Sequence, residues 1–159
     1  MRFQQSWTDL AAEAITGESQ RLLEDTLSRA VEAGFHHVET ARHYGSSERQ
    51  LGWALPESPD ASRILQTKVP PQAEPEAFEA ELEISLERLQ VQRVDLLAIH
   101  GINRHDHLEQ TIRSGGCLDV VRRWQEQGRI GHVGFSTHGE PGLIVDAIET
   151  DCFDYVNLH

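Results

Sequence analysis

Polar side chains interrupt several apolar runs of this chain at the same place, the end of the run. Glu39 closes "FHHVE", Lys68 closes "RILQTK", His100 closes "RVDLLAIH" and Ser136 closes "GHVGFS"; Asn157 lies near the end of a further run, "DYVNLH". A charged or polar group in such a position costs free energy to bury without a partner, so the recurrence points to a shared site. Tyr44 follows Glu39 by five residues, ahead of Gly45. A free phenol is too weak an acid to exchange its proton readily near neutral pH. An ammonium beside it favours the phenolate, and a carboxylate beside the ammonium holds that charge in place. Lys68 and Glu39 can fill those roles for Tyr44, and His100 can donate a hydrogen bond to a substrate oxygen. The chemistry such a set supports is general acid–base proton transfer.

These residues need a scaffold that brings strand ends together. Leu22, Leu23, Leu27, Ala30 and Val31 recur at helical spacing within residues 18–33, and Gly34 supplies a stop. Phe35–Thr40 reads as a strand, and Ser46 or Ser47 caps a helix that runs to about Leu55 before Pro56 ends it. Residues 63–69, 93–100, 131–136 and 154–159 read as strands, and 75–89, about 116–127 and about 141–149 as helices. Strand and helix alternating in this way imply parallel βαβ units. Two architectures fit, an open doubly wound sheet and part of a (β/α)8 barrel. No G-x-G-x-x-G follows any strand, which weakens the doubly wound reading. Five units are fewer than a whole barrel has, and the last strand ends at His159 with no helix to cover it, so a fragment is expected.

Composition bounds the partners. With 159 residues, 38% apolar and 25% charged, the chain has the profile of one soluble globular domain. A net charge of −12 argues against a nucleic-acid surface, which needs clustered Lys and Arg. No window is apolar enough to span a membrane and no secretory h-region opens the chain, so a cytoplasmic location is expected. Cys117 and Cys152 stand apart from any C-x-x-C spacing and are expected as reduced thiols. The acids Glu74, Glu76, Glu79, Glu81 and Glu83 read as a solvated helix face, His105 and His107 as residues of a polar loop, and Trp53 and Trp124 as helix-to-sheet packing.

Together these stretches resemble the aldo-keto reductases, (β/α)8 TIM-barrel enzymes that reduce carbonyls with NADPH. "HHVETARHYGSSERQLG" is similar to their strand-two signature, "LQTKVPP" to the lysine strand, "VDLLAIHGIN" to the histidine strand, and "GHVGFSTHG" to the strand whose serine touches the nicotinamide amide. The resemblance runs over about residues 18–159. It implies a tetrad of Glu39, Tyr44, Lys68 and His100, with Tyr44 as general acid, Lys68 lowering its pKa, Glu39 pairing with Lys68 and His100 orienting the carbonyl. It further implies Ser136, Thr137 and Asn157 as cofactor contacts, NADP(H) as cofactor, and a small aldehyde or ketone as substrate. Glu39 stands where the family usually has aspartate, and Thr137 where asparagine is common. A branch with "ETA", "IHGIN" and "FSTHG" shares that glutamate and often carries a C-terminal ferredoxin-like iron–sulfur segment; nothing of such a segment is present in these residues. The resemblance implies an incomplete barrel, roughly strands two to six, with "MRFQQSW" as the tail of strand one and Trp7 in a pocket-lining loop. Strands seven and eight, whose loops hold the cofactor phosphates in the family, are absent, so weak NADPH binding and weak activity are expected of the chain alone.

Two other readings compete. Glu39, His100 and His138 near strand ends could ligate a divalent ion, with Lys68 as a base, in a metal-dependent barrel hydrolase or isomerase. However, His36 and His37 are expected inside one strand, where their rings face opposite ways. A non-catalytic barrel serving as a binding subunit is the other.

Overall fold

Periodicity in the sequence switches between helical and strand-like several times, and the backbone follows it. The computed structural model describes residues 5–55 and 63–158. A 3₁₀ turn at Ala12–Ala14 precedes α1 (Gly17–Glu32), whose N-terminus is capped by Thr16 Oγ1 accepting from Ser19 N at 3.2 Å. Gly34, with φ at 84°, turns the chain toward β1 (His37–Glu39). There follow α2 (Ser47–Ala54), β2 (Ile64–Val69), α3 (Pro75–Leu89), β3 (Val94–Ile99), α4 (His105–Ile112), α5 (Cys117–Glu126), β4 (Ile130–Thr137), α6 (Pro141–Glu149) and β5 (Tyr155–Leu158). Residues 1–4 of the supposed strand-one tail, Pro56 and His159 lie outside the described residues, and residues 5–7 are not in a strand.

All five strands are parallel and sit in sequence order. The sheet is curled. Gln66 on β2 and Asn157 on β5 lie three strands apart, roughly 14 Å along a flat sheet, yet Gln66 Nε2 donates to Asn157 Oδ1 at 2.8 Å. Only an arc that closes on its concave side allows that bond.

Side chains on successive strand positions alternate between the two faces. Val38, Leu65, Val69, Leu97, Ile99, Val133 and Phe135 point to the convex face and are buried against the helix layer. Phe78 and Leu82 of α3, Val121 and Trp124 of α5, and Leu23 and Leu27 of α1 complete that core. Leucines this buried cost about 2–5 kcal/mol each on truncation to alanine. Helices α2 and α3 pack closely where a Cβ on Gly52 would overlap the carbonyl oxygen of Arg88.

The structure corrects three expectations. His105 and His107 open the helix α4 instead of a loop, and half-buried His107 turns its Nδ1 to Gly101 O at 3.0 Å. Only Leu108 and Thr111 of α4 are buried, too few apolar positions to set a helical period. Glu79 and Glu81 are not simply solvated, because α3 is flanked by other elements: Glu79 accepts from Trp124 Nε1 at 2.8 Å and Arg123 Nη2 at 2.6 Å, and Glu81 from Arg42 Nε at 2.7 Å. Trp53 is half-exposed, whereas Trp124 is buried as expected, with the Arg129 guanidinium 3.5 Å from its ring centre. Cys117 and Cys152 are free thiols. Among the described residues no helix is long and apolar enough to cross a membrane.

Candidate active site

Strand register decides which polar residues can meet. Glu39 pairs with Gln66, Lys68 with Ala98, and Ser136 with Asn157. Paired residues of a parallel sheet share a face, and Gln66 and Lys68 are two apart on one strand, so Glu39, Gln66 and Lys68 all point to the concave side. Ser136 lies two residues beyond Gly134, the partner of Ala98, which puts Ser136 and Asn157 on that side as well.

Lys68 is 2% exposed and its Nζ donates to Glu39 Oε1 in a tight ion pair. Burial pushes the Glu39 carboxyl upward, but the hydrogen bond and charge of Lys68 outweigh it and hold the group below its ordinary range. Tyr44, 6% exposed, sits in the turn between β1 and α2, and Lys68 Nζ lies 5.0 Å from the centre of its ring. The backbone continues the strand ladder into this turn: Thr40 N donates to Gln66 O and Arg42 N to Lys68 O, both at 2.9 Å. His100 follows β3 directly, with its N–H bonded to Val69 O at 2.8 Å. Its ring meets Tyr44 edge-on, centres 5.6 Å apart, and His43 lies 6.5 Å away on another side. Glu39, Tyr44, Lys68 and His100 therefore come together at one end of the sheet.

Ser136 Oγ accepts from Gly101 N at 3.0 Å, a bond that leaves its own proton uncommitted. Thr137, next in sequence, points to the opposite face: its hydroxyl donates to Ile102 O and accepts from Gly139 N at 2.8 Å. Asn157 lies beside Ser136, with its carbonyl oxygen taken by Gln66. Gln66, fully buried, also meets His37 Nε2 at 2.9 Å, so a polar chain His37–Gln66–Asn157 lies behind the Glu39–Lys68 pair.

Several members of this arrangement were not legible in the amino-acid sequence. Gln66 was hidden inside a strand assigned by its apolar neighbours. His107 supports the Gly101 turn after His100, and Asn103 Oδ1 accepts from His138 N at 2.7 Å, tying the β3 and β4 loops together. Only the polar interruption at Gln66 was a signal that could have been read. Trp7 is 72% exposed. Among the described residues no three His, Cys, Asp or Glu side chains gather to hold a metal ion.

Comparisons with known proteins bear on the family and the fold. A solved aldo/keto reductase from Brucella melitensis is 25% identical, with a TM-score of 0.66 over 87% of this chain and 53% of its own. A thermostable aldo-keto reductase solved with the inhibitor epalrestat is 26% identical, TM-score 0.68, over 84% and 47% respectively. The holo form of an aldo-keto reductase from Bacillus halodurans shares the fold at 20% identity, TM-score 0.74, over 88% and 49%. The chain thus spans about half the length of these structures. No curated protein sequence matches it. Its five strands and their helices form an incomplete (β/α)8 barrel of the aldo-keto reductase type. The model of the Aldo/keto reductase family matches residues 1–158, and the chain belongs to that family.

Proposed function

We propose that this chain carries the proton-transfer side of an NADP(H)-dependent oxidoreductase that reduces an aldehyde or ketone to an alcohol. The single observation that carries the reading is the buried Lys68 ammonium, held by Glu39 and lying 5.0 Å from the centre of the Tyr44 ring. In this reading the five strands correspond to barrel strands two to six.

When bound, the nicotinamide cofactor supplies the hydride that goes to the carbonyl carbon. Tyr44 gives the phenolic proton to the carbonyl oxygen, and water later restores it. Lys68 stabilises the phenolate left behind, and Glu39 keeps the lysine charged and in place. His100, edge-on to Tyr44, orients the carbonyl oxygen by a hydrogen bond. The donor set on the concave face suits a nicotinamide carboxamide. Ser136 has a hydroxyl proton to give, and Asn157 beside it keeps its amide nitrogen for a second contact. Thr137 contributes through the backbone of the β4 turn, since its hydroxyl is committed elsewhere.

Tyr44→Phe tests the reading in a form of the protein that turns over, alone or joined to the remaining barrel units. Carbonyl reduction is expected to fall by roughly 10²–10⁴-fold, with cofactor affinity nearly unchanged. Turnover equal to the unmutated protein assigns proton transfer to another group.

A further inference from the structure

A second glutamate lies close to the first in sequence and on the other side of the sheet. Glu48 stands in the first turn of α2, four residues after Tyr44, and is 1% exposed. Thr67, fully buried and immediately before Lys68, donates its hydroxyl proton to Glu48 Oε1 at 2.6 Å. Thr67 alternates with Lys68 on β2, so this bond lies on the convex face, behind the ion pair. Glu48 Oε2 makes no hydrogen bond in the structure, and neither does the buried Ser85 hydroxyl of α3.

The consequence lies in the chain path. Arg42 N is bonded to Lys68 O at 2.9 Å, and Glu48 is bonded to the side chain of Thr67. The turn that carries Tyr44 is therefore pinned at its start and at its end to two adjacent residues of β2. One of them is Lys68. A third bond, Thr40 Oγ1 to Ser47 Oγ at 2.9 Å, ties the end of β1 to the first residue of α2. We propose that Glu48 is a positioning residue: its buried carboxyl, accepting from Thr67, clamps α2 to β2 and so holds the Tyr44 ring against the Lys68 ammonium. The proposal rests on the roles given to Tyr44 and Lys68 above.

The cations nearest Glu48 are engaged by other carboxylates. Arg42, in the β1–α2 turn, is committed to Glu81 at 2.7 Å and Asp9 at 3.6 Å, and Arg88 of α3 to Asp9 at 2.5 Å. Burial pushes the carboxyl above its ordinary range; the Thr67 hydrogen bond, the Ser85 hydroxyl and the arginine charges oppose this but do not overcome it.

The experiment reads geometry directly, without relying on turnover. In nuclear Overhauser spectra, the Tyr44 ring to Lys68 side-chain contact is expected to persist in Glu48→Gln and in Thr67→Ser. It is expected to drop to less than half in Thr67→Val, which keeps the shape of threonine but loses the hydroxyl. Should Thr67→Val fail to fold, Glu48→Asp, one methylene too short to reach Thr67, gives the same reading. In a form that turns over, loss of the contact is expected to lower kcat at least tenfold with KM changed less than threefold. A native Tyr44–Lys68 contact in folded Thr67→Val or Glu48→Asp overturns the proposal. Failure of the site reading is distinguishable, because it shows only as retained turnover in Tyr44→Phe.

Discussion

The concave and convex faces of β1 and β2 each hold a glutamate, and the two carboxyls are driven in opposite directions. Glu39 on the concave side keeps about a third of its side chain in water and has an ammonium in contact, which holds it ionised. Glu48 on the convex side has lost its water and has a hydroxyl in place of a cation, which favours the proton. Desolvation raises both. What separates them is whether a charge partner arrives with the burial. The concave face, where a substrate oxygen must meet a proton donor, keeps its charges paired and partly wet. The convex face, where helices pack on the sheet, raises the cost of keeping a charge.

Lys68→Met is the strongest way to break that contrast. Methionine keeps the stem and removes the ammonium. In a form that turns over, the rate is expected to fall by roughly 10²-fold or more. The melting temperature should move little, because a buried apolar replacement is tolerated at Lys68 and Glu39, 35% exposed, recovers water. A variant with full turnover would mean that the concave charge is idle.

Stability against pH sharpens the contrast further, because the two glutamates carry opposite signs. For Glu48 the folded pKa is raised, so its contribution to stability is complete below the ordinary glutamate range and is lost as pH rises through the folded value. For Glu39 the folded pKa is lowered, so its contribution is present above the ordinary range and is lost as pH falls through the folded value. Denaturant melts across this acidic to neutral window should therefore show Glu48→Gln flattening the loss on the rising side and Glu39→Gln flattening the loss on the falling side. Glu48→Ala, which strands the buried Thr67 hydroxyl, is expected to cost about 1–3 kcal/mol at any pH in the window. Slopes of the same sign for the two glutamine variants would end the distinction.

The concave face was the more legible of the two in the amino-acid sequence. Glu39, Lys68, His100 and Ser136 each break an apolar run, and a broken run is visible without coordinates. Strand boundaries were close because β2 and β3 are long and apolar, whereas β1 is a strand only over His37–Glu39 and continues as ladder bonds to Arg42. The convex face was not legible. In "SERQLGWA" Glu48 looks like any acid in the first turn of a helix, a position favourable for a solvated charge. Its burial depends on α3 lying over it, which the Gly52–Arg88 approach permits and no local pattern announces. Ser46 and Ser47, expected as a helix cap, spend their hydroxyls on Gln50 and Thr40 instead. Helix α4 escaped for a related reason: its partner is the β3 turn, reached through His107, and not an apolar stripe.

A third glutamate sets the lower end of the scale. Glu79 on α3 has two good donors, Arg123 and the Trp124 indole, and the hydrogen bond from Arg123 leads the effects that hold its carboxyl below the ordinary range. Judged by partners alone it should matter as much as Glu39. Judged by solvent it should not, because Arg123 is half exposed and water competes for both charges. Glu79→Gln keeps an acceptor for the indole and loses only the ion pair, so unfolding free energy is expected to fall by less than about 1 kcal/mol, with the Lys68–Tyr44 contact untouched. A larger loss, persisting in high salt, would show that an exposed pair between α3 and α5 carries as much of the fold as the buried carboxyl of Glu48, and burial would no longer rank these three side chains.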